Sequence, residues 1–186
     1  MIMNTITDQK QFMLRVEKKV IENQTHATLG FSHALPFRPG QFIMVWIPGV
    51  DEKPYTISLH TRERFAITIE AKGIFSKKAI ALEKGDLVGI RGPFGNGFDV
   101  KADAQVAVVA GGCGMAPLAP LVEKLDKKAI VIHGARTREH LLYPDRFDME
   151  RLFCTDDGSF GHKGLVTALL EKQITSGKHF DMVYTC

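Results

Sequence analysis

The sequence is poor in cysteine: Cys113, Cys154 and Cys186 are the only three in 186 residues. An odd count without a Cys-x-x-Cys pair speaks against a disulfide framework and for a reducing compartment, so a cytoplasmic location is expected. Three thiols also fall short of the four thiolates an iron–sulfur cluster usually takes. The seven histidines show no His-Glu-x-x-His or other paired spacing, and no metal site is legible. No run approaches the ~18 apolar residues of a membrane helix, so no membrane association is expected. The opening Met1-Ile2-Met3-Asn4-Thr5 has no basic stretch leading into an apolar one, which argues against a secretory signal. Blocks of positive charge are missing too. The net charge is +3, and Lys18-Lys19, Lys77-Lys78 and Lys127-Lys128 are isolated pairs, solvated faces rather than a nucleic-acid stripe.

What is present is the composition of a folded protein: 45% hydrophobic and 24% charged residues exclude disorder across the whole chain. Over residues 10–100 the pattern alternates. Phe12, Leu14 and Val16 alternate with Met13, Arg15 and Glu17; Ala27, Leu29 and Phe31 with Thr28, Gly30 and Ser32; and Phe65, Ile67 and Ile69 with Ala66, Thr68 and Glu70. Period two predicts half-buried strands. Gln41–Ile47 and Tyr55–Leu59 read as further strands, with turns at Pro36, Pro39-Gly40, Pro48-Gly49 and Gly85-Asp86. One short helix is expected from Phe75 to Glu83. Short strands at this spacing suggest a small antiparallel barrel.

The character changes near residue 100. Val106–Ala110 is a continuous apolar run, as in a parallel strand covered on both faces. Then come a helix over Ala116–Leu125, a strand over Ala129–His133, a strand over Leu152–Thr155, a helix over Leu165–Lys172 and a strand over Met182–Thr185. This alternation predicts a doubly wound α/β unit with a parallel sheet. The expected domains are residues 1–100 and 101–186.

Four segments offer chemistry. Gly111-Gly112-Cys113-Gly114-Met115-Ala116-Pro117 joins a buried strand to a helix. Glycines there admit a ligand close to the backbone, and a helix N-terminus favours phosphate; the same glycines also suit a plain tight turn. A standard Rossmann fingerprint wants an acid at the end of the second strand. That strand ends Ile132-His133-Gly134, and the acids Asp156 and Asp157 come one strand later. Lys53-Pro54-Tyr55-Thr56-Ile57-Ser58 supplies a cation, an aromatic face and hydroxyls, which a flavin needs; alone it also reads as an exposed strand. Lys72-Gly73-Ile74-Phe75-Ser76 can present N–H groups and a hydroxyl to a phosphate, or act simply as a helix cap. Arg91-Gly92-Pro93-Phe94-Gly95-Asn96-Gly97-Phe98 closes the first half or forms a linker turn. Cys113, at a helix start, reads as a small filler rather than a catalytic thiol.

Taken in order, these segments resemble the ferredoxin–NADP reductase superfamily, and within it the electron transfer subunit of heteromeric dihydroorotate dehydrogenases. Lys53-Pro54-Tyr55-Thr56 matches the Arg-Pro-aromatic-Ser/Thr flavin motif with Lys replacing Arg. Gly92–Phe98, Gly111–Pro117, Gly134-Ala135-Arg136-Thr137, Thr155–Ser159 with Gly161 and Lys163-Gly164, and Val183-Tyr184-Thr185-Cys186 match as well.

The resemblance implies an FAD-binding Greek-key barrel followed by an NAD-binding α/β domain, acting as an NAD(H)-dependent flavoprotein oxidoreductase in pyrimidine biosynthesis. It places Tyr55, Thr56 and Ser58 beside the flavin, and Lys53, Lys72, Gly73, Phe75 and Ser76 around it, with Lys53 and Ser76 on its phosphates. Gly111, Gly112, Cys113, Gly114, Met115, Arg136, Thr137, Asp156 and Asp157 fall to the nicotinamide cofactor, and Cys186 to the hydride-transfer site. The implied partner is an FMN-containing dihydroorotate dehydrogenase catalytic subunit. A gamma subunit of a hydrogenase or sulfide dehydrogenase shares these sites, and a non-catalytic flavin-binding assembly module is the alternative of another class. The family continues past this last motif into four cysteines that hold a [2Fe-2S] cluster. The chain stops at Cys186, so it is expected to be truncated, with the cluster only in a full-length protein.

Overall fold

The computed structural model describes residues 10–100, 104–125 and 129–186. Met1–Thr5, the Lys127-Lys128 pair and the expected boundary at residue 101 lie outside them.

The first half forms seven strands: β1 (Phe12–Arg15), β2 (Lys18–Ile21), β3 (His26–Phe31), β4 (Phe42–Ile47), β5 (Asp51–His60), β6 (Phe65–Glu70) and β7 (Leu87–Phe94). They make one sheet in the order β1-β7-β4-β5-β6-β3-β2, with every neighbouring pair antiparallel. The sheet curls around a core of Leu29, Phe31, Ile43, Val45, Ile57, Phe65, Ile67, Ile69, Val88 and Ile90. The alternating residues of β3 point inward as expected, with Phe31 and Phe65 stacked at 5.1 Å. Helix α1 (Ile74–Ile80) plugs this core with Phe75 and Ala79. It starts one residue before the expected helix and ends three residues earlier.

The second half holds β8 (Val106–Gly111), α2 (Met115–Val122), β9 (Ile130–Ala135), β10 (Glu150–Thr155), β11 (His162–Lys163), α3 (Val166–Thr175) and β12 (Met182–Thr185). Its strands pair in parallel in the order β11-β10-β9-β8-β12. The apolar run of β8 serves two layers: Val106, Val108 and Ala110 pack with α2, and Ala107 and Val109 with α3. Helices thus cover opposite faces, which is why both parities are apolar. The chain runs from β8 to β9 on one side and returns to β12 on the other. The strand order therefore reverses at β8, and the crevice beyond the C-terminal ends of β8 and β12 is where open α/β sheets bind ligands.

The two sheets meet through side chains. Tyr143 reaches from the second half to Thr68 Oγ1, which also bonds Thr28 Oγ1 at 2.8 Å and donates to Ser58 Oγ at 2.8 Å. Phe98 meets Tyr184 edge-on at 5.5 Å, and the Tyr184 hydroxyl donates to the Asp99 carbonyl.

Candidate functional site

Two openings meet at the segment that joins β6 to α1. The first is a groove of about 500 Å³ lined by Asp51, Lys53, Tyr55, Gly73, Phe75 and Ser76. Tyr55 is half-buried and stacks on Phe75 at 6.1 Å and 23°. Burial pushes its phenol above the ordinary range. Lys53 is exposed and pairs with Asp51 Oδ2 at 2.5 Å, so a phosphate there competes with a carboxylate two residues away. Ser76 reaches back: its Oγ accepts the N–H groups of Lys72 and Gly73, both at 2.9 Å, and donates to the Gly73 carbonyl at 3.2 Å. The serine therefore caps its own helix while still lining the groove.

The second opening is a cavity of about 510 Å³ at the reversal point of the parallel sheet. It brings together Lys72, the Gly111–Gly114 turn, Arg136, Asp156 and Cys186, from distant parts of the chain. The turn is a single 3-10 turn, Gly112–Gly114, ahead of α2. Gly112 has φ +53°, and a Cβ there would meet open space. That is a cradle a side chain would fill. His133 on β9 lies 3.3 Å from the Gly112 carbonyl and donates to it through Nε2–H. Burial holds this imidazole down at about 4. Cys186 extends the parallel pairing: its N–H donates to Val109 O at 3.2 Å, and its carbonyl accepts Gly111 N–H at 3.0 Å. Asp156 is fixed by its N–H to the Ala135 carbonyl at 3.1 Å.

Some sequence-predicted residues stand elsewhere. Ser58 is fully buried and belongs to the hydroxyl chain under Tyr143, not to the groove beside Tyr55. Met115 is 1% exposed and packs in the core of the second half. Asp157 accepts Ser159 N–H and Oγ–H at 2.9 and 2.6 Å, which holds its carboxyl below the usual range. Thr137 Oγ1 bonds His140 Nδ1 at 2.9 Å. Pro54 sits in β5 opposite Met44, and Thr56, half-buried, opposite Phe42. Cys113 packs against the second core, and its thiol is pushed up to about 11, first by burial and then by Glu70. That environment disfavours the thiolate which a helix start alone would promote.

Sequence reasoning missed His26, Glu70 and His133. His26 and Glu70 line the same cavity, and His133 props its turn. The signal was a histidine at a buried strand position, in β3 and in β9.

No family model matches the chain. A probable dihydroorotate dehydrogenase B (NAD(+)), electron transfer subunit from Methanocaldococcus jannaschii is 41% identical over 183 residues, covering 96% of this chain and 69% of the relative. A subunit of the same name from Pyrococcus horikoshii is 42% identical over 160 residues, covering 84% of this chain and 61% of the relative. The chain therefore spans between three-fifths and seven-tenths of these relatives' length. Among solved structures, an NADH-dependent reduced ferredoxin-NADP oxidoreductase superposes with a TM-score of 0.83 at 25% identity, over 92% of this chain and 66% of that one. With 41% identity to a relative of which it covers more than two thirds, and with the curled antiparallel sheet and parallel sheet of the ferredoxin reductase-like fold, the chain belongs to the family of dihydroorotate dehydrogenase B electron transfer subunits.

Proposed function

We propose that this chain is the flavin- and nicotinamide-binding part of an electron transfer subunit that passes electrons between NAD(H) and a partner dehydrogenase. The observation that carries the reading is the convergence of the two openings on Lys72-Gly73, which line the cavity and the groove respectively. One opening offers an aromatic face and a cation. The other offers a glycine cradle at the reversal point of a parallel sheet. The residues fit two cofactors. Residues 1–100 are assigned to FAD and residues 101–186 to NAD.

Tyr55 supplies the stacking face for the flavin, and Lys53 the charge for its phosphates. Gly73 and Ser76 shape the wall next to them. Gly111, Gly112 and Gly114 let the nicotinamide cofactor approach the backbone, and Arg136 and Asp156 line the same cavity. When bound, FAD supplies hydride acceptance and one-electron release. The protein's part is to hold the two cofactors, to keep the Gly112 turn fixed through His133, and to place Cys186 in the cavity wall. The residues do not fit an iron–sulfur cluster: Cys154 is wholly buried in the core under α3, which leaves Cys113 and Cys186.

The partner is an FMN-containing subunit that oxidises dihydroorotate, placing the protein in pyrimidine biosynthesis and in the cytoplasm. Among the described residues no helix is long and apolar enough to cross a membrane. The test is co-purification of the full-length protein from its native host, with the co-eluting subunit assayed for dihydroorotate oxidation. Co-elution of an FMN subunit active on dihydroorotate is expected. Co-elution with a hydrogenase subunit instead would replace this partner.

A further inference from the structure

His26 is 4% exposed, and among the described residues its Nε2 is one of three buried polar side-chain atoms without a hydrogen-bond partner. The other ring nitrogen fixes its chemistry. Nδ1 lies 3.0 Å from both Asn23 Oδ1 and Thr25 Oγ1; the amide oxygen is identified by the backbone N–H groups of Thr25 and His26 that it accepts, and the Thr25 hydroxyl donates its own proton to that same oxygen, so both neighbours present acceptors to Nδ1. Nδ1 therefore carries the proton, and the neutral ring turns the Nε2 lone pair outward. A hydrogen bond from the other ring nitrogen is what orients a metal-ligating histidine. Facing that lone pair at 3.8 Å is Glu70 Oε2. Two acceptors aimed at each other repel unless a cation or proton lies between them. A third donor completes the group: Cys113 Sγ, Glu70 O and His26 N all lie within 4.8 Å of one another.

We propose that His26, Glu70 and Cys113 form a three-ligand binding site for a thiophilic divalent cation, with Zn²⁺ the best match. Nitrogen, sulfur and carboxylate donors are the set Zn²⁺ prefers, and three protein ligands leave a fourth position open toward the cavity. Bond lengths of ~2.0–2.3 Å put tetrahedral ligand atoms roughly 3.3–3.8 Å apart, so the trio needs only a small closure. The partly exposed Glu70 carboxylate can supply it. Its present partner, Lys72 Nζ at 2.9 Å, is on a 76% exposed side chain that is free to swing away. The cation takes that ammonium's place and, by binding the thiolate, releases a proton from Cys113.

The binding itself does not rest on the proposed function, but one consequence does. The ligands line the same cavity as Gly111–Gly114, so bound Zn²⁺ competes with the nicotinamide cofactor.

The test is calorimetric titration of the purified full chain with ZnCl2 in thiol-free buffer. One Zn²⁺ per chain is expected. Cys113→Ser and Glu70→Gln are each expected to weaken binding by at least about tenfold, since the loss of even an outer partner reaches that range. Lys72→Ala, which frees Glu70, is expected to tighten it. Co²⁺ is expected to give a thiolate charge-transfer absorption that Cys113→Ser abolishes. His26→Gln is read only if its circular dichroism matches the parent; the other variants carry the test if it does not. No uptake by the folded parent, or uptake unchanged in both Cys113→Ser and Glu70→Gln, overturns the site. If Zn²⁺ and NADH bind together while the variants behave as expected, the metal site stands and the nicotinamide assignment of the cavity fails.

Discussion

A Cβ on Gly114 would lie 2.2 Å from the carbonyl oxygen of Cys186 and 2.6 Å from its carbonyl carbon. Gly114 itself has an ordinary right-handed backbone, φ −60° and ψ −15°. The glycine is needed for the close approach of β12's end, not for its conformation. Gly114→Ala is therefore expected to push Cys186 away and to destabilise the fold by about 1–3 kcal/mol, the usual range for overpacking. Hydrogen exchange at the Gly111 amide, which donates to Cys186 O, reads the displacement directly. Unchanged protection of that amide would show that the neighbouring backbone accommodates the methyl group.

Tyr55 tests the groove. Its ring leans on Phe75 from one side and is only half-buried, leaving a face for a flavin. Tyr55→Ala is expected to loosen FAD by about 1–3 kcal/mol, the loss of one desolvated aromatic contact. Flavin fluorescence titration measures it. Lys53→Arg is expected to retain or tighten FAD, because a guanidinium grips phosphate as a fork and an ammonium does not.

His133 makes stability pH-dependent. Its folded value of about 4 lies below the ordinary 6.5, because burial penalises the charged ring. A base depressed in the folded state contributes full stability above pH 6.5 and loses it as pH falls toward 4. The loss amounts to about 3 kcal/mol at the acid end of that window. His133→Gln keeps an N–H donor for the Gly112 carbonyl and removes the titration. Thermal melts from pH 7 to about pH 4 should fall less steeply in this variant; parallel slopes would assign the acid loss to other groups.

Cofactor preference turns on Asp156. A carboxylate accepts from both ribose hydroxyls and repels a 2′-phosphate. An opposing charge stands in the same cavity: Arg136 lines it together with Asp156. Lys163 also leans over the turn, its Cδ 3.1 Å from where a Cβ on Gly158 would be. NAD(H) is expected to be preferred over NADP(H) by at least about tenfold, or ~1.4 kcal/mol. Asp156→Ser is expected to raise NADP(H) affinity, since Arg136 and Lys163 are then unopposed. Titration of both cofactors against parent and variant decides it; equal affinities in the parent remove the role of Asp156.

β8 and β9 were legible because each is an apolar run that reaches a glycine at its end, whereas β11, two exposed polar residues, His162-Lys163, carries no such signal and was not expected. β10 and α3 run longer than expected and α2 ends sooner, at Val122 rather than Leu125. β7 was hidden by its own residues. Gly89, Gly92 and Pro93 break the alternation, yet a Cβ on Gly89 would lie 2.0 Å from Gln11 Nε2 and 2.9 Å from Trp46. The glycine serves a neighbour distant in sequence, which no local pattern reveals. β2, Lys-Lys-Val-Ile, is an edge strand that pairs only with β3 and is mostly exposed, so it shows little periodicity. Within the site, strand alternation already sets Ser58 on the face away from Tyr55. The Tyr143 contact that satisfies its hydroxyl chain comes from the other half of the molecule. Met115 turned inward because α2 is apolar all round and wedged between the two halves.

The central claim is that this fold carries a flavin which NADH reduces. It is tested most directly by anaerobic titration of the FAD-loaded protein with NADH, followed in the flavin absorbance band. A yellow protein is expected, bleached by roughly one equivalent of NADH and at least about tenfold less effectively by NADPH. A protein that retains no flavin, or one whose flavin NADH leaves oxidised, would contradict it.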